Sequence, residues 1–254
     1  MSPFPALAFL TRAPVPGRRD IAIEDVARTQ LWFPAAGLLL GAALVALDRL
    51  AGRALPDPSV DVLLLVALVA LTGALHLDGL ADAADGLLGG HTPARRLEIM
   101  RDVHAGTYAI VAVVSVLGLK WAGLAALPED VRVEALLIVP CLARFAMLVA
   151  IAAFPYARTE GVGAGFRQRA WPAATLVGAA TAAAASVALL GPGGLYATAA
   201  AIAVALLCGV IATRLVGGMT GDLYGATVEI AEAALFLFIA AFANRGWVDA
   251  WAFT

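Results

Sequence analysis

Three aspartates in one short run are the residues of this chain best suited to chemistry. Asp78, Asp82 and Asp85 lie in the run HLDGLADAADGLLGG, residues 76–90. At about 100° per residue, spacings of four and three place these carboxylates within an arc of about 60° on one side of a helix. Carboxylates so close repel one another unless a cation lies among them, and their hard oxygens suit Mg²⁺. The spacing predicts a magnesium site that holds a phosphorylated substrate.

A solvated acidic helix end is the alternative interpretation of the same run. Leucines surround the acids, however, and residues 76–90 contain no Lys or Arg that would relieve the clustered negative charge. The metal site is therefore the favoured interpretation. His76 lies nearly opposite the acids on a continuous helix, so we expect it to be a hydrogen-bonding residue and not a ligand of the same metal.

Further polar side chains are candidates for handling phosphate or protons. Guanidinium groups beside carboxylates suit a polyphosphate whose charge is shared with a metal. An excess of arginine on one membrane face would explain Arg95 and Arg96 without any ligand. Arg144 lies within an apolar segment and needs a partner or a ligand phosphate. The candidate substrate-binding residues are Arg12, Arg95, Arg96, Arg101, Arg144 and Thr107, and the candidate catalytic residues are Asp82, Asp102 and Asp222.

The composition places these residues in a membrane protein. Hydrophobic residues make up 62% of the 254-residue chain and charged residues only 14%, which is far from the balance of a soluble domain. The net charge of −2 and the scattered basic residues exclude a nucleic-acid partner. Cys141 and Cys208 lie in apolar stretches and are expected to be inert thiols. The N-terminal apolar stretch lacks a cleavage site, so we expect no removed signal peptide.

Seven apolar runs of about 20 residues predict an all-α, polytopic bundle with about seven transmembrane helices, forming one domain over residues 1–254. The second run is short and borders the aspartate run. The fifth and sixth are separated only by the turn at 191–194, which predicts a tight helical hairpin. Gly37 and Gly41 have the GxxxG spacing of closely packed helices. The predicted spans are 31–51, 60–76, 108–127, 134–154, 173–191, 195–217 and 226–243.

Basic residues in the connections predict the orientation of the bundle. Eleven arginines fall in the N-terminal segment, the 77–107 and 155–172 loops and at Arg214, against five basic residues on the other side, including Lys120. Cytoplasmic loops are enriched in Lys and Arg. We therefore expect the acidic helix or loop and the other polar connections to face the cytoplasm.

The residues resemble the cobalamin synthase family, also called adenosylcobinamide-GDP ribazoletransferases. The resemblance covers nearly the whole chain, and the HLDGLAD-x-x-DG segment is its most specific part. One departure is RDVHAGT at 101–107, where the family commonly has RDSRIGT, so no family role passes to His104. The matching segments are FLTRAPVP (9–16), WFPAAGLLLG (32–41), HLDGLADAADGLLGG (76–90), RRLEIMRD (95–102) and TGDLYGA (220–226).

This resemblance implies a Mg²⁺-dependent enzyme of the cell inner membrane that acts in the last steps of cobalamin biosynthesis. Its substrates would be adenosylcobinamide-GDP and α-ribazole or α-ribazole 5′-phosphate, and its products the cobalamin (or its 5′-phosphate) and GMP. Membrane lipid would surround the protein, and assembly into a homo-oligomer stays open.

Two other membrane transferases and one transporter are the alternatives. Asp78 and Asp82 also fit the DxxxD spacing of intramembrane prenyltransferases, but a second such run is missing from the later connections. A CDP-alcohol phosphotransferase would have an arginine where Asp82 follows Ala81. A transporter would use Arg144, Glu229 and Glu232 as an intramembrane path, but its inverted repeat is not visible in the sequence.

Overall fold

The fold was analysed on a computed structural model, which describes residues 2–14, 29–158, 172–246 and 248. In these ranges the chain forms α-helices, one 3₁₀ turn at Gln30–Trp32 and an isolated bridge between Tyr156 and Met219. The predicted all-α class is confirmed. The helices are α1 (Phe4–Leu10), α2 (Phe33–Ala51), α3 (Asp57–Thr72), α4 (Leu75–Gly89), α5 (Pro93–Ile99), α6 (Thr107–Ala125), α7 (Glu129–Ala153), α8 (Pro172–Leu190), α9 (Gly193–Val216) and α10 (Gly221–Ala243).

Among the described helices, six are long and apolar enough to cross a membrane, and α3 with α4 would form a seventh, broken crossing. The six are α2 (with the 3₁₀ turn before it), α6, α7, α8, α9 and α10. The prediction of about seven membrane helices is thereby confirmed. Helices α7 and α10 begin about five residues before the predicted spans. Pro128 and Thr220 occupy their N-caps, and the acids Glu129 and Asp222 lie in their first turns, where the helix dipole favours negative charge.

The second crossing differs from its prediction because the helix breaks between α3 and α4. The axes of these two helices meet at 90°. Gly73 and Ala74 adopt left-handed backbone angles, with φ of 64° and 58°, and their N–H groups donate to the carbonyls of Ala70 and Val69. This closes α3 as glycine commonly closes a helix. The aspartate run therefore lies on its own helix, α4, which starts in a new direction.

Helix α7 lies at the centre of the bundle and is the most buried of the candidate spans. Helix α2 packs directly on its backbone, because a Cβ on Gly41 would lie 2.6 Å from the Leu136 carbonyl oxygen, and one on Gly37 would overlap Pro140. The prediction that this GxxxG pair serves close helix packing is confirmed. Near the N-terminus of α7, Arg132 joins α2 and α3 to α7 by donating to Asp48 (2.9 Å) and Asp61 (2.7 Å).

The predicted hairpin of the fifth and sixth spans is also confirmed. Helices α8 and α9 are joined by a turn in which Gly191 has a positive φ of 56°. Thr198 of α9 donates to Ser186 of α8 at 3.1 Å, and Gly194 lies against the Ser186 carbonyl. Five of the eleven arginines counted for orientation, namely Arg18, Arg19, Arg28, Arg167 and Arg169, lie outside the described residues.

We expect Gly37→Ala to destabilise the protein by about 1–3 kcal/mol, because its methyl group would force α2 away from the backbone of α7. The matched control is Gly118→Ala in α6, where a Cβ meets nothing within 4 Å. That change should leave stability unaltered or raise it, since alanine favours a helix over glycine. Thermal unfolding of the two detergent-purified variants measures the difference. Equal melting temperatures would contradict the packing of α2 on α7.

Candidate functional site

The site is built where α4 lies antiparallel to the first half of α10. A Cβ added to Gly79 would lie 2.8 Å from the Asp222 carbonyl oxygen, and one on Gly225 would lie 3.1 Å from the His76 carbonyl oxygen. Residue numbers therefore rise along α4 in the direction in which they fall along α10. Glycine at both positions lets the two backbones touch. As a result the acidic side of α4 lies beside the N-terminus of α10.

Three carboxylates, those of Asp78, Asp82 and Asp222, lie near this contact. The charges of Asp78, Asp222 and Asp85 all act on Asp82, and Asp78 also acts on Asp222. Asp78 is exposed, and Asp82 and Asp222 are half-buried, so a ligand from the aqueous side can reach all three. The sequence places Asp78 and Asp82 together by helical spacing alone. It is the fold that adds Asp222 to them.

Among the described residues, Arg158 supplies a positive charge at this carboxylate group. Its Nη2 donates to Asp222 Oδ2 at 2.9 Å, and Thr220 Oγ1 lies 3.3 Å from the same oxygen. In the sequence, Arg158 is only one of the arginines that predict the orientation of the bundle. Its role could not be found from spacing, since it lies 64 positions before Asp222.

A short parallel contact brings Arg158 to Asp222. Ala157 N–H donates to the Met219 carbonyl, and Met219 N–H donates to the Pro155 carbonyl, both at 2.8 Å. Gly218, with φ of 158°, permits the approach, because a Cβ there would lie 2.5 Å from the Pro155 oxygen. The connection after α7 and the start of α10 are thereby held side by side.

An apolar cleft of about 200 Å³ opens beside the carboxylates. Asp78 and Asp222 form part of its wall. The remaining lining is mostly apolar and comes from α1, α4, α7 and α10, namely Phe9, Leu75, His76, Gly79, Met147, Gly221, Tyr224 and Gly225. The site therefore joins a charged edge to an apolar space.

Asp85 has a structural task in addition to its place on the acidic face. It accepts hydrogen bonds from Gly106 N–H (2.5 Å) and Ala109 N–H (2.9 Å). These are amide groups at the start of α6, where unpaired donors and the helix dipole favour a carboxylate. Asp85 thus fixes the entry of α6 against α4. Its predicted role as a metal ligand stays a prediction.

The arginines after the aspartate run divide into different environments. Arg96 is committed to the backbone, because its Nε donates to the Gly90 carbonyl (2.9 Å) and its Nη1 to the Leu215 carbonyl (3.0 Å). Arg95 forms an exposed ion pair with Glu98 at 2.8 Å. Arg101 is exposed and lines a second cleft together with Arg158. Of these three, Arg101 is the one that lies toward the carboxylate site.

Asp102 and Thr107 lie at a separate cleft with Asp85 and Gly106. The His104 backbone N–H donates to Asp102 Oδ1 at 3.0 Å, and His104 Nδ1 lies 2.8 Å from that oxygen. These hydrogen bonds lower the pKa of Asp102, so it is a weaker base than an ordinary aspartate. Thr107 is the first residue of α6.

Arg144 finds its partner inside the protein. It is fully buried and pairs with Glu232, while its Nη2 lies 3.5 Å from His76 Nδ1. Lys120 donates to Glu229 at 2.7 Å and to Glu232 at 2.5 Å. Two cations thus balance two anions within the bundle. Lys120, counted above as a charge on the outer face, belongs to this buried charge cluster, which corrects that count.

Arg12 lies at the break between α3 and α4. Its backbone N–H donates to the Leu71 carbonyl at 2.6 Å, and its side chain covers Gly73 so closely that a Cβ there would collide with it. Arg12 therefore packs on the bend that gives α4 its direction. Its predicted contact with substrate stays a prediction.

The donor chemistry of the site fits Mg²⁺. Within the described ranges no three His, Cys, Asp or Glu side chains surround one point closely enough to hold an ion by themselves. Mg²⁺, however, usually takes one or two carboxylates and completes its shell with water and substrate phosphates. Asp78 and Asp82, one turn apart beside Asp222, provide such hard oxygen donors.

The fold and the site together define a polytopic membrane protein with a carboxylate and arginine centre suited to a phosphorylated ligand. The chain belongs to the cobalamin-5-phosphate synthase family, whose sequence profile matches residues 2–240.

Curated relatives named adenosylcobinamide-GDP ribazoletransferase support this family assignment. The protein of Desulfitobacterium hafniense (strain Y51) is 38% identical, covering 91% of this chain and 93% of its own length. That of Roseiflexus sp. (strain RS-1) is 41% identical over 89% of this chain and 84% of its own. That of Ectopseudomonas mendocina (strain ymp) is 38% identical over 94% and 98%. No solved structure matches the chain.

We expect Arg144→Met to destabilise the protein by about 3–5 kcal/mol, because Glu232 would keep a buried charge without its arginine partner. Adding Glu232→Gln should recover part of this loss, since the double change removes both charges of the pair. Arg245→Met, at an exposed arginine, is the control. Chemical or thermal unfolding in detergent measures all three. Additive losses in the double variant would contradict the pairing.

Proposed function

We propose that this chain is a Mg²⁺-dependent transferase that joins adenosylcobinamide-GDP to α-ribazole, or to α-ribazole 5′-phosphate, and releases GMP. The observation that carries the proposal is that Asp78 and Asp82 lie near Asp222 and its partner Arg158 at the edge of an apolar cleft. A corrinoid activated by a diphosphate carries the negative charge that Mg²⁺ and Arg158 would hold at this edge. The name of the curated relatives, adenosylcobinamide-GDP ribazoletransferase, agrees with this reaction.

The proposed location is the cell inner membrane, with the carboxylate site on the cytoplasmic face. The arginine-rich connections support this orientation by the positive-inside rule. The N-terminus of α10, the connection after α7 and the segment around α5 all lie at the same end of the bundle as the site. Soluble substrates would reach the site from this side.

Asp78 and Asp82 are the residues proposed to hold Mg²⁺. They lie four positions apart on one face of α4, and their side chains are accessible. When bound, Mg²⁺ would neutralise the diphosphate and stabilise negative charge on the departing oxygen.

The transfer forms one P–O bond and breaks another. A hydroxyl oxygen of the ribazole ribose attacks the phosphorus nearer the cobinamide, and the bond from that phosphorus to the bridging oxygen breaks. GMP leaves with the bridging oxygen, and the hydroxyl proton passes to a carboxylate. Positioning and charge compensation are the main contributions a protein makes to such a reaction.

Asp222 is the proposed proton acceptor. It faces Asp78 and Asp82 from the neighbouring helix, and its Oδ2 is held by Arg158. Asp102, the other candidate from the sequence, lies at a different cleft and has a lowered pKa because His104 donates to it. Both features make Asp102 the poorer base.

We expect Asp82→Asn to raise the Mg²⁺ concentration needed for half-maximal GMP release by at least about 10-fold, because a ligand carboxylate becomes a neutral amide. The measurement is GMP release from purified protein across a Mg²⁺ titration, with adenosylcobinamide-GDP and α-ribazole. Asp130→Asn, an exposed acid in the first turn of α7, is the control and should match the wild type. An unchanged Mg²⁺ requirement in the folded Asp82 variant would refute the metal assignment.

For Asp222→Asn we expect kcat to fall by about 10²–10⁴-fold at saturating Mg²⁺, which is the usual contribution of a general base. The Mg²⁺ requirement should change little, in contrast to the Asp82 variant. Steady-state GMP release measures both parameters. If the Asp222 variant instead recovered full kcat at high Mg²⁺, Asp222 would be a metal ligand and not the base.

A further inference from the structure

A second cleft lies between α5 and the first residues of the connection after α7. It encloses about 370 Å³ and is lined by Ala94, Leu97, Glu98, Arg101, Ala157 and Arg158. Its two arginines, Arg101 and Arg158, are 57 positions apart in the sequence and are brought together by the fold. The apolar cleft described above lies on the other side of the Asp222–Arg158 ion pair, because Asp222 lines that cleft and Arg158 lines this one.

Arg158, which lies between the two clefts, has N–H groups that do not bind Asp222. Among the described residues, one of the five N–H groups of its guanidinium donates to Asp222, while its Nε is buried and has no acceptor. A buried donor without an acceptor costs free energy, and a bound ligand can supply the missing acceptor. The natural acceptor for an arginine of this kind is a phosphate.

Resting on the transfer reaction proposed above, we propose that the cleft of Arg101 and Arg158 binds the guanosine-side phosphate of adenosylcobinamide-GDP, which leaves as GMP. The diphosphate then lies across the Asp222–Arg158 pair. Its cobinamide-side phosphorus is next to Asp222 and the apolar cleft, and its guanosine-side phosphate is next to the two arginines.

This direction suits the charge that the reaction develops. Negative charge grows on the bridging oxygen and on the departing phosphate, and fixed guanidinium groups stabilise charge at that point. The reverse direction would place the departing phosphate at the cleft lined by Asp78 and Asp222, where carboxylates repel its growing negative charge, and away from Arg101. The two clefts thus distinguish the two halves of one substrate.

The phosphate of α-ribazole 5′-phosphate is a second anion that the same arginines could recognise. The experiment therefore compares Arg158→Gln and Arg101→Gln with the wild type on both acceptors, α-ribazole and its 5′-phosphate. Equilibrium binding of GMP to the detergent-purified protein is measured as well, since it requires no turnover. Arg214→Gln, an exposed arginine in the last turn of α9, is the control.

We expect each cleft variant to bind GMP at least about 10-fold more weakly, and to raise KM for adenosylcobinamide-GDP equally with either acceptor. Arg101→Gln tests the cleft without removing the partner of Asp222. Arg158→Lys should restore part of the GMP binding. Unchanged GMP binding in both Gln variants would overturn the proposal, and so would a KM increase confined to the phosphorylated acceptor. Failure of the wild type to release GMP would refute the transfer reaction itself, independently of the binding result.

Discussion

The buried ion cluster around Glu232 is the constraint on which the arrangement of the bundle depends. Lys120 of α6 and Arg144 of α7 both pair with this glutamate of α10, and His76 of α4 lies against the arginine. Charges in this environment are tolerated only when they are paired, since one missing partner leaves an uncompensated charge. Four helices must therefore meet at one depth. A shift of α10 along its own axis would break at least one of these pairs.

This fixed depth determines where the chemistry is located. Asp222 lies ten residues before Glu232 on α10, or about 15 Å along the helix axis, which brings it to the end of the bundle. On α4, Asp78 and Asp82 follow His76 toward the same end, because α4 runs antiparallel to α10. The carboxylates consequently collect where the apolar interior meets the aqueous side. A soluble phosphorylated substrate can reach that boundary from the aqueous side.

Local pattern predicted the parts of this structure that depend on neighbours in sequence. The spans, the α8–α9 hairpin, the Gly37 contact and the shared face of Asp78 and Asp82 all follow from spacing and composition. The rest depends on contacts between distant segments. Arg158 reaches Asp222 only because the connection after α7 pairs with Met219. The need of Arg144 for a partner was visible in the sequence, but which acid supplies it is decided by helix packing.

The break before the aspartate run has a geometric reason. A continuous helix from Asp57 to Gly89 would be about 50 Å long, well beyond the hydrocarbon thickness of about 30 Å, and its last turns would extend into water. The 90° bend instead folds this length back, so that α4 lies along α10. Ala74 holds a left-handed conformation that costs a non-glycine residue about 1–2 kcal/mol. That strain is offset where α4 meets α10, and without the bend Asp78 and Asp82 would not lie beside Asp222.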